Sequence, residues 1–332
     1  MKQDSVAVKR RDDGDDDRAR LDRVLAGLRE SPRRIEEAKR NDRRMIEFYD
    51  QRGSALFERI CALPEYYLTR TELGIMRAHA TEMADALGPR VALIEPGSGA
   101  SLKTRLLLEA LDAPQAYLPV DISREHMLGA ARRLKQDYPS LRIQPLCADF
   151  TQAVMIPTAA VRGARRRAVY FPGSTLGNFD RSESIRLLGQ MLELAGPDGA
   201  ILLGIDRVKN AALLERAYDD AAGVTAEFNL NALRHLNRQL GADFDLASFA
   251  HRAPWVPAHS RIEMHLVANR DLAFTVGGQR FAMTRGEHLL TEYSHKYTLA
   301  DAADIARSAG LALRCCWSDP HDWFSVLLLE PA

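Results

Sequence analysis

Cysteine is scarce in this chain: four in 332 residues, at positions 61, 147, 315 and 316, with no C-x-x-C pair. A disulfide framework is therefore not expected, and a reducing cytoplasm is the compartment that fits. Net charge is also absent, since 45 Lys and Arg balance 45 Asp and Glu. No global basic field invites nucleic acid or an anionic membrane surface. No apolar run approaches the length needed to span a bilayer. The histidines at 251, 259, 265, 288, 295 and 321 form no H-x-H or H-x-x-x-H pair beside a carboxylate cluster, so no metal site is expected. The first twenty residues, "MKQDSVAVKRRDDGDDDRAR", lack the apolar core of a secretory signal, and their aspartates argue against a mitochondrial transit peptide. They read as a solvated, disordered tail.

What is present is ample length for a packed core, in one large domain or two ordinary ones, and a change of rhythm along it. Residues 21–48 carry charges and aliphatics at helical spacing. Pro64 and two tyrosines interrupt "LPEYYLTRTE", and a further helix then runs to a stop at Gly88-Pro89. From there strands and helices alternate. "RVALIEPG" (90–97), "AYLPVD" (116–121), "LRIQPLCADF" (141–150), "RAVYFPGST" (167–175) and "GAILLGID" (199–206) read as strands with helices between them, the pattern of a parallel sheet covered on both faces. The alternation stops at 207 and resumes near 297. The last two strands, 311–319 and 323–331, are joined by a hairpin-length turn and should pair antiparallel. Five parallel strands completed by such a hairpin predict an α/β fold of the class I methyltransferase kind. That is a Rossmann-like, seven-stranded sheet with its last strand reversed, and the middle segment is an insertion after strand five.

The stretch "ALIEPGSGAS" ends the first of these strands. Glycines at a strand-to-helix turn let a backbone approach a ligand, and the helix N-terminus offers free N–H donors. A dinucleotide fingerprint needs a third glycine, and Leu102 stands in its place, which weakens that reading. The remaining G-x-G fits an ordinary turn as well. Two further strand ends add to it. Asp121 is placed to take two ribose hydroxyls, and Asp149-Phe150 could accept from an adenine amine and pack on its ring. Each aspartate alone also fits a helix cap. Together with Ser98, Ser101 and Lys103 they suit S-adenosylmethionine, which has a ribose, an adenine and a carboxylate but no phosphate.

The segments "FYDQRGSALFERICALPEYYLTRTE", "EPGSGASLKTRLLLEAL", "PVDIS", "ADF", "GSTLGNF", "YDDAAGVTAEFN", "RIEMHL" and "TEYSHKY" occur in this order. Together they resemble the L-histidine Nα-methyltransferases of ergothioneine biosynthesis over about residues 40–331. The resemblance implies transfer of three methyl groups from S-adenosylmethionine to the α-amine of L-histidine, giving hercynine. It implies a methyltransferase domain (71–206 and 298–332) and an α+β substrate domain (21–70 and 207–297). It also implies a monomeric enzyme acting on a small molecule, without metal, nucleic acid or membrane. Position by position it assigns the cofactor to Tyr49, Gly97, Ser98, Lys103, Asp121, Asp149 and Phe150. It assigns histidine to Tyr66, Asn178, Tyr218, Met264, Glu292 and Ser294, with Tyr49, Asn178 and Tyr218 nearest the chemistry. Asn178 and Tyr218 would hold the amine and carboxylate end, and Glu292 and Ser294 the imidazole.

These residue types suit that chemistry. Amide and hydroxyl groups orient an amine without a full charge that would hold it as ammonium, and a Tyr49 hydroxyl could relay its proton to water. Glu292 can accept from a ring N–H while Ser294 pairs with the other ring nitrogen. Aromatic walls tolerate a trimethylammonium product through its attraction to ring faces. Read without the resemblance, Asn178 also fits a turn terminator, Tyr218 an amphipathic helix position, and Glu292 with Ser294 one exposed strand face. A relative acting on another amino acid or small amine, and a non-catalytic metabolite-binding protein, both stay open. Pro96 departs from the aliphatic or aromatic residue common at that place in the family; it stiffens the turn, and a modest effect on cofactor affinity is expected.

Overall fold

The computed structural model describes residues 13–31, 33–35, 50–98, 102–122 and 124–332. Where the sequence reads as a tail up to residue 20, a helix runs over Asp13–Leu28. Val24, Leu25 and Leu28 lie on one face of it and are buried, and this anchoring extends the helix back into polar sequence.

The apolar runs form one sheet. Among the described residues its spatial order is Leu311–Ser318, Phe324–Pro331, Ala200–Asp206, Arg166–Phe171, Val91–Pro96, Ala116–Asp121 and Arg142–Ile143. The last five pair parallel, and Phe324–Pro331 enters antiparallel to both its neighbours. This is the α/β, Rossmann-like sheet with a reversed final strand. Val91–Pro96 and Ala200–Asp206 are buried along their whole length, as strands covered on both faces must be. Their side chains alternate between two cores. Ala92, Ile94, Ile201 and Leu203 face one layer; Val91, Leu93, Ala200 and Leu202 face the other. The third strand differs from its expected span of 141–150. It is broken into Arg142–Ile143 and Leu146–Cys147, both paired with Ala116–Asp121. Pro145 lies between the pieces and has no N–H for the ladder. Asp149 and Phe150 therefore sit past the strand, in a turn.

A second core draws on residues 24–68 and 214–289. Its sheet pairs Arg33–Arg34, His288–His295, Arg261–Ala268 and Phe249–Arg252, with Trp255–Val256 also against Arg261–Ala268. The helices Ala211–Tyr218 and Val224–Gln239 pack on it, and Gln51–Cys61 packs on the latter. The chain leaves the large sheet and returns to it at one place. Tyr297 N donates to Asp206 O at 2.9 Å and Val208 N to Tyr297 O at 3.1 Å. The exit at 206–208 and the return at 296–297 thus run side by side, between the two cores. Among the described residues, no helix is long and apolar enough to cross a membrane, and no group of three metal-ligating side chains occurs.

Candidate active site

Two sets of side chains meet at the C-terminal edge of the large sheet. The first surrounds the glycine turn. Gly97 has φ +69°, a conformation open to glycine at no steric cost, and its N–H donates to Val120 O at 2.8 Å. A β-carbon built there would lie 3.4 Å from the Phe150 ring, so the turn and that ring face each other closely. Phe150 in turn packs edge-on against Phe171, with centroids 5.7 Å apart. Asp121 ends the neighbouring strand. Asp149 Oδ1 accepts from Thr151 N and Oγ1 at 2.8 and 2.7 Å. Its Oδ2 is buried with no hydrogen-bond partner among the described residues, an arrangement that a ligand donor would complete. Ser98 is buried.

Lys103 has a partner that sequence reasoning did not anticipate. Its ammonium bonds the fully buried Glu72 at 2.5 Å, and Glu72 also accepts from Gly173 N at 3.0 Å. Glu72 thereby joins the helix after the glycine turn to the start of "GSTLGN". Tyr49, Gly99, Ala100 and Ser101 lie outside the described residues.

The second set lines a cavity of about 80 Å³ between the two cores. The sheet strand His288–His295 contributes Glu292 and Ser294; its partner Arg261–Ala268 contributes Met264, directly opposite Glu292. Tyr66 precedes the helix Tyr67–Leu87, Tyr218 ends Ala211–Tyr218, and Asn178 ends the short turn Thr175–Asn178. All six residues assigned to substrate from the sequence line this one cavity. Aromatic rings form one wall. Tyr66 packs edge-on to Phe57 at 6.3 Å and to Tyr218 at 6.0 Å, and Phe228 lies 6.2 Å from Phe57. Asn178 is held in place by Gly177, which packs so tightly on the return strand that a β-carbon there would sit 2.7 Å from His295 O.

Behind the cavity lies a buried polar network that the sequence reading missed. The ammonium of Lys296, fully buried, donates to Tyr218 Oη, Ser294 Oγ and Asp206 Oδ2, each at 2.8 Å. Tyr218 Oη and Ser294 Oγ are also bonded to each other at 2.9 Å. Asp206, at the end of its strand, further accepts from Tyr67 Oη at 2.8 Å and from Lys209. Burial disfavours the charge on Lys296, but Asp206 and Tyr218 together outweigh it and hold the lysine above its ordinary value. Burial pushes the Tyr218 phenol up despite Lys296. Burial likewise pushes Glu292 up to about 7, with Lys296 offsetting only part of the shift. The signal was present in both motifs. Lys296 follows Glu292 and Ser294 at the same two-residue spacing, and Asp206 ends an apolar strand as Asp121 does.

Tyr218 and Ser294, which the resemblance sends to opposite ends of a substrate, are therefore in direct contact. Among the described side chains lining the cavity, Glu292 is the one carboxylate. No protein group hydrogen-bonds it among the described residues, so its acceptor oxygens are left for a ligand.

A seven-stranded sheet with a reversed last strand, and ligand-facing groups at the C-terminal ends of its strands, defines a class I methyltransferase fold. The family described as histidine-specific, S-adenosylmethionine-dependent methyltransferase matches residues 20–331. The chain is 39% identical to histidine N-alpha-methyltransferase of Mycolicibacterium smegmatis, covering 85% of this chain and 88% of that protein. It is 40% identical to the Mycobacterium tuberculosis protein of the same name, with the same coverage. Ergothioneine biosynthesis protein 1 of Neurospora crassa is 38% identical over 58% of this chain and 22% of its own length. The chain belongs to the histidine-specific methyltransferase family, and it is an S-adenosylmethionine-dependent N-methyltransferase.

Proposed function

We propose that this enzyme transfers three methyl groups to the α-amine of L-histidine, giving hercynine, the first step of ergothioneine biosynthesis. The observation that carries the reading is the lining of the cavity. A carboxylate with no hydrogen-bond partner among the described residues, Glu292, lies on the same strand as a hydroxyl, Ser294, beside aromatic walls. Neutral imidazole has one N–H donor and one nitrogen acceptor, and these two groups match them. An indole offers no second ring nitrogen to Ser294, so a tryptophan-type substrate would leave it unpaired. The name of the two mycobacterial relatives agrees with this choice.

The cofactor is assigned to the glycine-turn set: Gly97, Ser98, Lys103, Asp121, Asp149 and Phe150, with Tyr49 carried by resemblance alone. The open oxygen of Asp149 and the close approach allowed by Gly97 fit an adenosyl group. When bound, S-adenosylmethionine supplies an electrophilic methyl on a sulfonium. The chain's own residues supply position, which is the larger share of catalysis for an in-line displacement. Asn178 and Tyr218 orient the amine through neutral groups, and among the described residues no carboxylate other than Glu292 lines the cavity to hold it as ammonium. The aromatic rings at 57, 66, 218 and 228 accommodate the growing positive charge of the product. The two cores correspond in this reading to a substrate domain (21–70 and 207–297) and a methyltransferase domain (71–206 and 298–332).

The test mixes pure protein with S-adenosylmethionine and a panel of amino acids and reads product mass. A gain of three methyl groups on histidine alone is expected. Absence of methylated histidine at saturating cofactor would overturn the reading.

A further inference from the structure

The network behind the cavity has a proton count with a consequence for the substrate. Tyr218 and Ser294 together own two hydroxyl hydrogens and, nominally, four oxygen lone pairs. Lys296 occupies one lone pair on each oxygen. The bond between the hydroxyls uses one hydrogen and one further lone pair. One hydrogen and one lone pair remain, and they are on different oxygens. If Ser294 donates into the cavity, Tyr218 faces it only as an acceptor; if Tyr218 donates, Ser294 can only accept. Lys296 cannot relax this restriction, because its third donor is committed to Asp206.

We propose that Lys296 is a positioning residue that makes the site select the neutral imidazole of histidine over the imidazolium, by coupling the Tyr218–Ser294 pair so that only one of the two hydroxyls can donate into the cavity while the other accepts. The proposal rests on histidine being the substrate. With a neutral ring, Glu292 takes the ring N–H and Ser294 donates to the bare ring nitrogen. Tyr218 is then an acceptor and can hold an N–H of the amine, which leaves the amine lone pair free for attack. With an imidazolium, both ring nitrogens are donors. Ser294 must accept, Tyr218 must turn its hydrogen outward, and an outward phenol hydrogen competes for that same lone pair. Charge acts in the same direction. The titratable and charged groups around Lys296 are Asp206, Lys209, Tyr67, Tyr218, Glu292 and His295. Asp206 is shared among Lys296, Lys209 and Tyr67, which leaves Glu292 alone to balance a cationic ring placed one hydroxyl from a buried ammonium.

The experiment compares histidine with 1,2,4-triazolylalanine, whose ring stays neutral where imidazole becomes charged. Dissociation constants are measured by calorimetry with S-adenosylhomocysteine present, so that no turnover occurs. All ratios are measured in a Glu292→Gln background, because a neutral ring beside protonated Glu292 and a cationic ring beside ionised Glu292 hold the same number of protons and would give the same pH dependence. With Lys296 intact, the histidine-to-triazolylalanine ratio should rise roughly tenfold per pH unit below about pH 6.5, the ordinary imidazole value. For Lys296→Met the rise should flatten to about threefold or less per unit, because freed lone pairs let either hydroxyl accept. Lys296→Arg, which keeps the cation and its donors, should restore part of the slope. If the Lys296→Met protein does not fold, the charge-balanced pair Asp206→Asn with Lys296→Met gives the same readout. A ratio that does not change with pH when Lys296 is intact, or an equal slope with and without Lys296, overturns the proposal. Failure of the wild type to methylate histidine would instead remove the functional reading beneath it.

Discussion

Glu292 and Asp149 each present an oxygen that no described protein group bonds, Glu292 into the cavity and Asp149 beside the glycine turn. Each supports a prediction that separates the two ligands. Glu292→Gln keeps volume and removes the charge; the KM for histidine should rise roughly tenfold, the scale of losing a hydrogen bond to a charged group, while S-adenosylmethionine binding stays unchanged. Because burial pushes Glu292 up to about 7, and its ionised form is the stronger acceptor, affinity for a ring-neutral histidine analogue should increase as pH rises through that value. That dependence should vanish in Glu292→Gln, as read by calorimetry across pH. Asp149→Asn turns the open oxygen toward an amide, whose N–H₂ would confront any adenine donor. The Kd for S-adenosylmethionine should rise roughly tenfold with the histidine KM little changed. Equal losses for both ligands in either variant would mean that the residue acts through folding.

Among the secondary-structure elements, the short turn Thr175–Asn178 is decisive, because it carries Asn178 across the gap between the cores. Ser174 is left-handed at φ +56° and its Oγ accepts from Asp206 N at 2.9 Å. Gly177 lets the turn lie against the backbone of the return strand. Gly177→Ala forces a β-carbon onto a carbonyl oxygen that belongs to backbone and cannot rotate away. The cost should be about 1–3 kcal/mol, read as a lower melting temperature, and kcat should fall because Asn178 is displaced. A variant with unchanged melting temperature and kcat would show that the contact is slack. The helix Gln51–Cys61, which brings Phe57 to the cavity, is held by a similar device. Asp50 caps it through Gly53 N at 2.8 Å and accepts from Asn231 and Arg238 at 2.9 and 2.6 Å. Burial opposes the charge on Asp50, yet those donors hold its carboxyl well below the usual range.

For the whole molecule, the large sheet contains a carboxyl at a costly place. Glu95 is buried near the end of the first strand, where it accepts from Thr104 Oγ1 at 2.8 Å and Tyr117 Oη at 2.5 Å. Burial nevertheless pushes it up to about 7 from its ordinary 4.5. The folded state thus binds more protons than the unfolded state between those values. Stability from this group is present below about 4.5 and lost as pH rises to about 7, by an amount on the order of 3 kcal/mol. Glu95→Gln should flatten the denaturation midpoint across that window relative to the wild type. An identical slope in both proteins would show that Glu95 is solvated in the fold.

The sequence by itself determined the sheet. Short apolar runs bounded by Gly and Pro and alternating with helical segments mark buried parallel strands, and a short link between the last two strands forces them antiparallel. The resemblance of the ordered motifs marked out Tyr66, Asn178, Tyr218, Met264, Glu292 and Ser294; residue type and spacing alone left Asn178 readable as a turn terminator and Tyr218 as an amphipathic helix position. The break at Pro145 was legible in principle, since a proline inside a strand run removes a ladder donor. The extension of the early helix back over residues 13–20 was not, because Val24, Leu25 and Leu28 become an anchor only when distant residues supply the core they enter. Tertiary structure alone decided how the marked residues act on one another. Lys296 and Asp206 are ninety residues apart in sequence, and they meet because the chain leaves and re-enters the sheet at a single junction. That meeting holds a buried ammonium charged and joins Tyr218 to Ser294. Strand periodicity cannot express it, since it reports which face a side chain occupies and not which distant charge lies behind it.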